Sequence, residues 1–130
     1  MNIYLDIDGV ILTKDLKPAN HLKEFLEHIT GKYEVFWLTT HCKGDSEVTL
    51  NYLSRFLDKD ILELLKKVKP TSWNTLKTDA IDFTKDFVWL DDYILPTERS
   101  VLEKKNKLNC WIEVKLEDSS DTLLKILDRL

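Results

Sequence analysis

Apolar residues along the chain occur in two patterns, short continuous runs and stripes at helical spacing. Unbroken runs lie at residues 35–38 and 87–90, and the mainly apolar segments at residues 3–7 and 110–114 each contain one acidic residue. An apolar run that ends in polar residues is typical of a strand buried on both faces of a parallel sheet. We therefore expect four strands, of which those at 35–38 and 87–90 are buried, and a short edge strand at residues 67–69, just before Pro70.

The stripes at helical spacing predict helices between these strands. The helices are expected to begin near Asn20, at Asp45 or Ser46, at Asp60, at Thr97 and at Asp121, with a brief helix over residues 75–83. Asn20 is expected to cap the first of these helices, and Gly31 to end it.

Strands and helices thus alternate over the whole chain of 130 residues, without a repeat or a linker. This alternation predicts an α/β fold, a single Rossmann-like, three-layer domain over residues 1–130 with a mostly parallel sheet. In such sheets ligands bind beyond the carboxyl ends of the strands. The residues that follow each strand are therefore the first candidates for function.

Composition and charge narrow the partners that we expect. Nineteen Lys and Arg against 23 Asp and Glu give a net charge of −4, which argues against coating nucleic acid through bulk charge. The longest apolar runs fall far short of the ~20 residues that cross a bilayer. The first residues do not resemble a signal peptide, so we expect a cytoplasmic protein without a membrane partner.

Acidic residues follow two of the expected strands. Asp6 and Asp8 follow the first strand two positions apart and can face one pocket, and Asp91 and Asp92 follow a later strand. Four carboxylates brought together repel one another unless a cation lies among them or some of them are protonated. All-oxygen ligation favours Mg²⁺, which keeps coordination sites for a substrate phosphate. The pattern predicts a magnesium site, and the alternative is a set of solvated acids.

Four short segments resemble the motifs of the haloacid dehalogenase-like (HAD) superfamily, in the expected order over residues 1–95. They are Asp6-Ile7-Asp8-Gly9-Val10 for the first motif, Thr39 for the second, Lys77 for the third and Val88-Trp89-Leu90-Asp91-Asp92 for the fourth. The Trp-Leu-Thr-Thr and Trp-Leu-Asp-Asp segments are particularly similar to the short HAD domains, lacking a cap, that are associated with RNA-repair systems. The resemblance implies a HAD-type fold.

The resemblance also implies a phosphatase that passes through an aspartyl-phosphate. Asp6 would be the nucleophile. Asp8 would protonate the leaving alcohol and then deprotonate the water that hydrolyses the intermediate. Thr39 and Lys77 would hold the phosphoryl oxygens, where negative charge must be balanced.

The magnesium ligands that the resemblance implies are Asp6, Asp8 through its backbone carbonyl, and either Asp91 or Asp92. The choice between the last two stays open, because Leu90 stands where the family commonly has Gly. Lys69 competes with Lys77 as the phosphate-binding lysine. We prefer Lys77 because it begins the segment that leads into the strand before Asp91. Thr40 and His41, after the second strand, are candidates for substrate contact.

Three other functions remain open at this point. A metal-dependent nuclease of the PIN type also gathers carboxylates at the ends of a parallel sheet, but needs neither Thr39 nor Lys77. A phospho-receiver domain uses an acidic pocket with a Thr and a Lys, but its phosphoacceptor normally ends an internal strand. The last alternative is a partner-binding domain without catalysis.

The expected substrate is a phosphate ester on a large molecule. The stretches between the strands are filled by helices and leave no room for a cap domain, so the site should be open. The loops at the carboxyl end of the sheet carry five lysines: Lys14, Lys17, Lys43, Lys69 and Lys77. Together with the similarity to RNA-repair domains, they favour a nucleic-acid terminal phosphate, in the first place a 3′-phosphate. The alternative is a general phosphatase that acts on small or protein phosphoesters.

Overall fold

A computed structural model describes residues 1–130 and contains one parallel β-sheet. Its strands are β1 (Asn2–Leu5), β2 (Glu34–Trp37), β3 (Phe87–Asp91) and β4 (Trp111–Glu113), in the spatial order β2-β1-β3-β4. All three neighbouring pairs are parallel. The sequence prediction of an α/β fold with a parallel sheet is confirmed.

Five helices cover the two faces of this sheet. They are α1 (Leu22–Lys32), α2 (Ser46–Leu53), α3 (Lys59–Leu65), α4 (Pro96–Lys104) and α5 (Thr122–Leu127). Helix α1 contacts α3 and α5, whereas α4 contacts the 3₁₀ turn Lys77–Ala80. None of the helices has the length and apolar character needed to cross a membrane.

Side chains of the strands alternate between two hydrophobic cores, as a period of two requires. In β1, Ile3 and Leu5 enter the larger core, which also contains residues of α1, α3 and α5. Tyr4 enters the smaller core beside α4, together with Trp89 of β3. The continuous apolar runs therefore reflect burial on both faces of the sheet.

Acidic side chains cap the N-termini of α2 and α3. Asp45 accepts a hydrogen bond from the Glu47 amide at the start of α2, and Asp58 accepts one from the Ile61 amide at the start of α3. Both arrangements satisfy amides that have no partner inside the helix.

Two expectations about α1 are wrong. Its N-terminal boundary residue is His21, in a left-handed conformation, and the imidazole bonds to Glu24 and Asp121 instead of capping the helix. Gly31 lies inside the last turn rather than after it. The chain leaves the helix through Tyr33, which is extended and leads directly into β2, so no left-handed glycine is needed.

Two other segments form less regular structure than expected. Residues 67–69 make one bridge, in which the Lys69 amide donates to Val35 and its carbonyl accepts from Trp37. Pro70 has no amide hydrogen and ends the pairing there. The expected helix over 75–83 is only the turn Lys77–Ala80, because the Lys77 and Asp82 amides donate to the side chains of Glu98 and Tyr4.

The position of Gly31 generates a stability prediction. A methyl group added at this residue would meet no atom within 4 Å, and the φ of Gly31 is not positive. Gly31→Ala should therefore raise the free energy of unfolding by about 0.5–1 kcal/mol, the usual helical difference between Gly and Ala. Urea unfolding followed by circular dichroism measures it. A clear loss of stability would mean that this residue ends the helix in a left-handed conformation.

Candidate active site

The register of two central strands brings the candidate carboxylates together. Leu5 of β1 pairs with Leu90 of β3, so the residues that follow, Asp6 and Asp91, are neighbours. The Asp6 amide donates to the Leu90 carbonyl at 3.1 Å and extends the pairing by one residue. The chain leaves β1 toward α1 on one face and leaves β3 toward α4 on the other. This switch point is where parallel sheets bind ligands.

Asp6, Asp91 and Asp92 form a carboxylate cluster at this switch point. One oxygen from each lies within 4.8 Å of the others. Asp6 and Asp91 are buried, and Asp92 is exposed at the mouth. The Asp91 carboxylate also accepts a hydrogen bond from the Tyr93 amide at 3.2 Å, which orients it. Both members of the Asp91-Asp92 pair thus lie at the site, one inside and one at the rim.

Lys77 supplies the positive charge inside the carboxylate cluster. Its Nζ lies 2.8 Å from Oδ2 of Asp91 and 3.6 Å from Oδ1 of Asp6. Burial opposes the charge of Lys77, but the two carboxylates outweigh burial and raise its pKa. Lys69, the competing lysine, pairs instead with Glu34 at the start of β2.

Glu98 of α4 holds Lys77 in place, and the sequence analysis missed it. Its buried carboxylate accepts hydrogen bonds from the Lys77 amide at 2.7 Å and from the Leu95 amide at 2.8 Å. A Glu three residues after the start of a helix is a capping signal that sequence can supply. The bond to Lys77 could not be read in this way, since the two residues meet only through the packing of α4 against the sheet.

The cluster carries more negative charge than Lys77 balances. Burial and the neighbouring Asp6 raise the pKa of Asp91 to about 9, and burial also raises the pKa of Asp92. Without a cation, the crowding of Asp6 and Asp91 therefore favours protonation within this carboxylate pair. A divalent cation would favour the charged carboxylates and reverse that shift.

The donor set fits Mg²⁺. All three ligand atoms are carboxylate oxygens, which this ion prefers. Oxygens on opposite sides of Mg²⁺ lie about 4 Å apart, so three oxygens within 4.8 Å can share one ion after small side-chain movements. Asp6, Asp91 and Asp92 would hold it. The Asp8 carboxylate is not part of this set.

Asp8 lies beside the cluster and makes a separate contact. Its Oδ2 is 2.9 Å from Nε2 of His41, and 57% of its side chain is exposed. The imidazole of His41 stacks on Tyr52 of α2, with ring centroids 4.2 Å apart. The Thr49 hydroxyl donates to the His41 carbonyl. His41 is therefore fixed by its neighbours and in turn fixes the Asp8 carboxylate.

The two threonines after β2 have different surroundings. Thr39 is completely buried, and its hydroxyl accepts a hydrogen bond from the His41 amide at 3.3 Å. Thr40 is exposed, and its side chain makes no hydrogen bond within the protein. Thr39 thus shapes the loop that carries His41, while Thr40 faces solvent.

Gly9 allows the approach of Asp92. Its φ is +82°, and a Cβ at this position would lie 2.4 Å from Oδ2 of Asp92. Its amide donates to the Leu12 carbonyl and closes the turn after β1. The Asp-x-Asp-Gly pattern therefore includes a glycine for two physical reasons, a left-handed backbone and a close side chain.

Comparison with known proteins gives no relative for this chain. No protein-family model, no curated protein and no solved structure matches it.

The contact between Gly9 and Asp92 can be tested with a matched control. Gly9→Ala should displace Asp92 and weaken Mg²⁺ binding by about tenfold or more, as loss of support around a metal site commonly does. Gly44 has nearly the same φ, +84°, but its nearest atom would be 3.8 Å from a Cβ. Gly44→Ala therefore imposes similar backbone strain without the clash, and should leave metal affinity unchanged.

Titration calorimetry with MgCl₂ measures the Mg²⁺ affinity of both variants. Unfolding curves show whether a loss of affinity comes with a loss of folding stability. Equal affinity in the two variants would show that Asp92 does not need its present position to bind the ion.

Proposed function

We propose that the protein is a Mg²⁺-dependent phosphomonoesterase that acts through an aspartyl-phosphate on Asp6. The observation that carries this proposal is the buried Asp6 carboxylate at the switch point, close to Lys77 and to two further carboxylates. The resemblance of the segments at 6–10 and 88–92 to HAD motifs supports the same chemistry, and a HAD-type domain is part of the proposal.

In the first step, an Asp6 oxygen attacks phosphorus and forms an O–P bond, while the bond to the leaving alcohol oxygen breaks. Lys77 has its ammonium group within 3.6 Å of Asp6 and balances charge on the phosphoryl oxygens. Asp8 gives its proton to the leaving oxygen. The alcohol departs, and the phosphoryl group remains on Asp6.

In the second step, Asp8 takes a proton from water, and that water attacks the phosphorus of the aspartyl-phosphate. Inorganic phosphate leaves, and the Asp6 carboxylate is restored. His41 positions Asp8 for both transfers, since the hydrogen bond of 2.9 Å between its Nε2 and Oδ2 of Asp8 fixes one carboxyl oxygen and leaves Oδ1 to carry the transferred proton. Bound Mg²⁺ would supply charge stabilisation for the phosphoryl oxygens.

The substrate beyond the phosphate is a separate question. Two of the five lysines that favoured a nucleic acid are engaged elsewhere, since Lys69 pairs with Glu34 and Lys77 is enclosed in the carboxylate cluster. No domain is inserted between β1 and β2 or between β2 and β3, so the mouth is open. A nucleic-acid 3′-phosphate stays a prediction that rests on the resemblance.

The decisive experiment is a search for the aspartyl-phosphate. Wild-type protein with Mg²⁺ and ³²P-labelled phosphate ester should yield a labelled, acid-stable and hydroxylamine-sensitive adduct on Asp6, with steady turnover. Asp6→Asn should remove both, because an amide oxygen does not attack phosphorus. Asp128→Asn, on an exposed residue at the end of α5, is the matched control and should retain both.

The outcomes separate the alternatives. Phosphodiester cleavage without an adduct would indicate a nuclease, and a stable adduct without turnover would indicate a phospho-receiver domain. The absence of both adduct and turnover would indicate a partner-binding domain without catalysis.

Proton transfer by Asp8 predicts a leaving-group effect. Asp8→Asn should reduce kcat by about 10²–10⁴-fold for an alkyl phosphate. It should reduce kcat much less for p-nitrophenyl phosphate, whose leaving oxygen needs little protonation. His41→Ala should show the same pattern with a smaller loss, because it only positions Asp8. Tyr52→Phe keeps the stacked ring and should behave like the wild type. Equal losses for both substrates would exclude Asp8 as the acid.

A further inference from the structure

A groove of about 570 Å³ begins at Asp8 and Gly9 and leads away from the carboxylate cluster. One wall is the turn at residues 13–16, and the other is the segment 114–117, which follows β4. Asp92 also borders it. Its volume falls within the range of about 300–1,000 Å³ that small-molecule sites occupy. From the sequence, the first wall was expected only to contribute Lys14 to a set of lysines at this end of the sheet, and the second wall was not singled out.

The position of Asp8 makes this groove the path of the leaving group. A general acid must lie within hydrogen-bond reach of the oxygen that it protonates, about 2.6–3.2 Å. His41 and the ring of Tyr52 occupy another side of Asp8. The part of a substrate attached to the leaving oxygen therefore extends from Asp8 into the groove. This step rests on the proposed function.

The charges of the two walls cancel. The turn carries Lys14 and Asp15, and the opposite segment carries Lys115 and Glu117. Lys115 is further neutralised by Glu113, whose Oε2 lies 3.8 Å from Nζ. The groove thus offers no surplus of positive charge for additional phosphates. A polyanionic strand would gain little from this surface, since it is bound mainly through Lys and Arg contacts.

Apolar side chains line the remaining surface of the groove. Leu16 is 43% exposed and has a φ of +60°, which is uncommon for a residue other than glycine. Hydrogen bonds from the Leu16 amide to Thr13 and from the Thr13 amide to Lys17 hold this turn. Leu116 and Val114 lie on the opposite wall. An apolar surface on each wall suits a leaving group that carries an apolar ring better than one that consists of a sugar alone.

We propose that the groove binds the leaving group of the substrate, and that this group is an uncharged, ring-bearing alcohol of about nucleoside size. The preferred substrate is then a phosphate monoester without further phosphates. Additional phosphates on the leaving group would find no net positive charge on the walls, and they would lie in a groove that Asp8 and Asp92 also border.

The test compares adenosine 3′-monophosphate, adenosine 3′,5′-bisphosphate and a short oligonucleotide 3′-phosphate. The ester chemistry is the same in all three, so differences report on the leaving group. We expect kcat/KM to fall about threefold or more from the first to the second at low ionic strength. Calorimetry on Asp6→Asn with Mg²⁺ should give the same order of affinities without turnover.

Two variants locate the effect in the groove. Glu117→Lys should bring the monophosphate and bisphosphate kcat/KM values close to each other, whereas Asp128→Lys changes the net charge equally and should preserve the difference. Leu16→Ala should lower kcat/KM for adenosine 3′-monophosphate about fivefold through lost apolar contact. Val48→Ala removes apolar surface from an exposed residue of α2 and should have no such effect.

Acetyl phosphate separates the two proposals, because its leaving group is too small to fill the groove. If it is hydrolysed and the groove variants leave the preference among the adenosine substrates unchanged, the groove proposal is wrong and the phosphatase proposal stands. If it is not hydrolysed and no adduct forms, the phosphatase proposal is wrong. Preference for the oligonucleotide would overturn the uncharged leaving group.

Discussion

The pairing of Leu5 with Leu90 is the constraint on which the candidate site depends. Parallel strands in this register end side by side, so Asp6 and Asp91 become neighbours at the point where the chain turns to opposite faces of the sheet. A slip of one residue would send Asp6 to the other face, because successive side chains of a strand alternate. Burial of Ile3 and Leu5 in the larger core and of Tyr4 in the smaller core resists such a slip.

That register brings buried charges together, and the surrounding structure balances them. Lys77 contacts Asp6 and Asp91, and Glu98 of the adjacent helix α4 accepts a hydrogen bond from the Lys77 amide. A buried charge pair repays its desolvation only when its geometry is good and its other polar atoms are satisfied. The raised pKa of Asp91 indicates that Lys77 alone does not complete this balance. A cation at the carboxylate cluster would complete it, which links the electrostatics of the site to the proposed chemistry.

Asp8 has a restraining contact on one side and an open groove on another. His41, held by Tyr52 and Thr49, restrains the carboxyl group on one side. The groove between the 13–16 turn and the 114–117 segment opens on another. In the proposed mechanism, Asp8 would act from this fixed position on a leaving group that lies in the groove.

The sequence by itself determined the strands and most helices, because apolar runs and helical stripes reflect burial that nearly any packing of these elements must satisfy. It also indicated which acidic residues lie at the strand ends, but it grouped four carboxylates there, and the structure brings together only those of Asp6, Asp91 and Asp92. The Asp8 carboxylate contacts His41 instead. Only the tertiary structure decided that Gly31 lies within α1, that Glu98 binds the Lys77 amide and that His41 meets Asp8. These contacts join residues distant along the chain or depend on how a helix leads into a strand. Local periodicity carries no information about contacts between distant residues or about how a helix joins a strand, because both depend on how the elements pack in three dimensions.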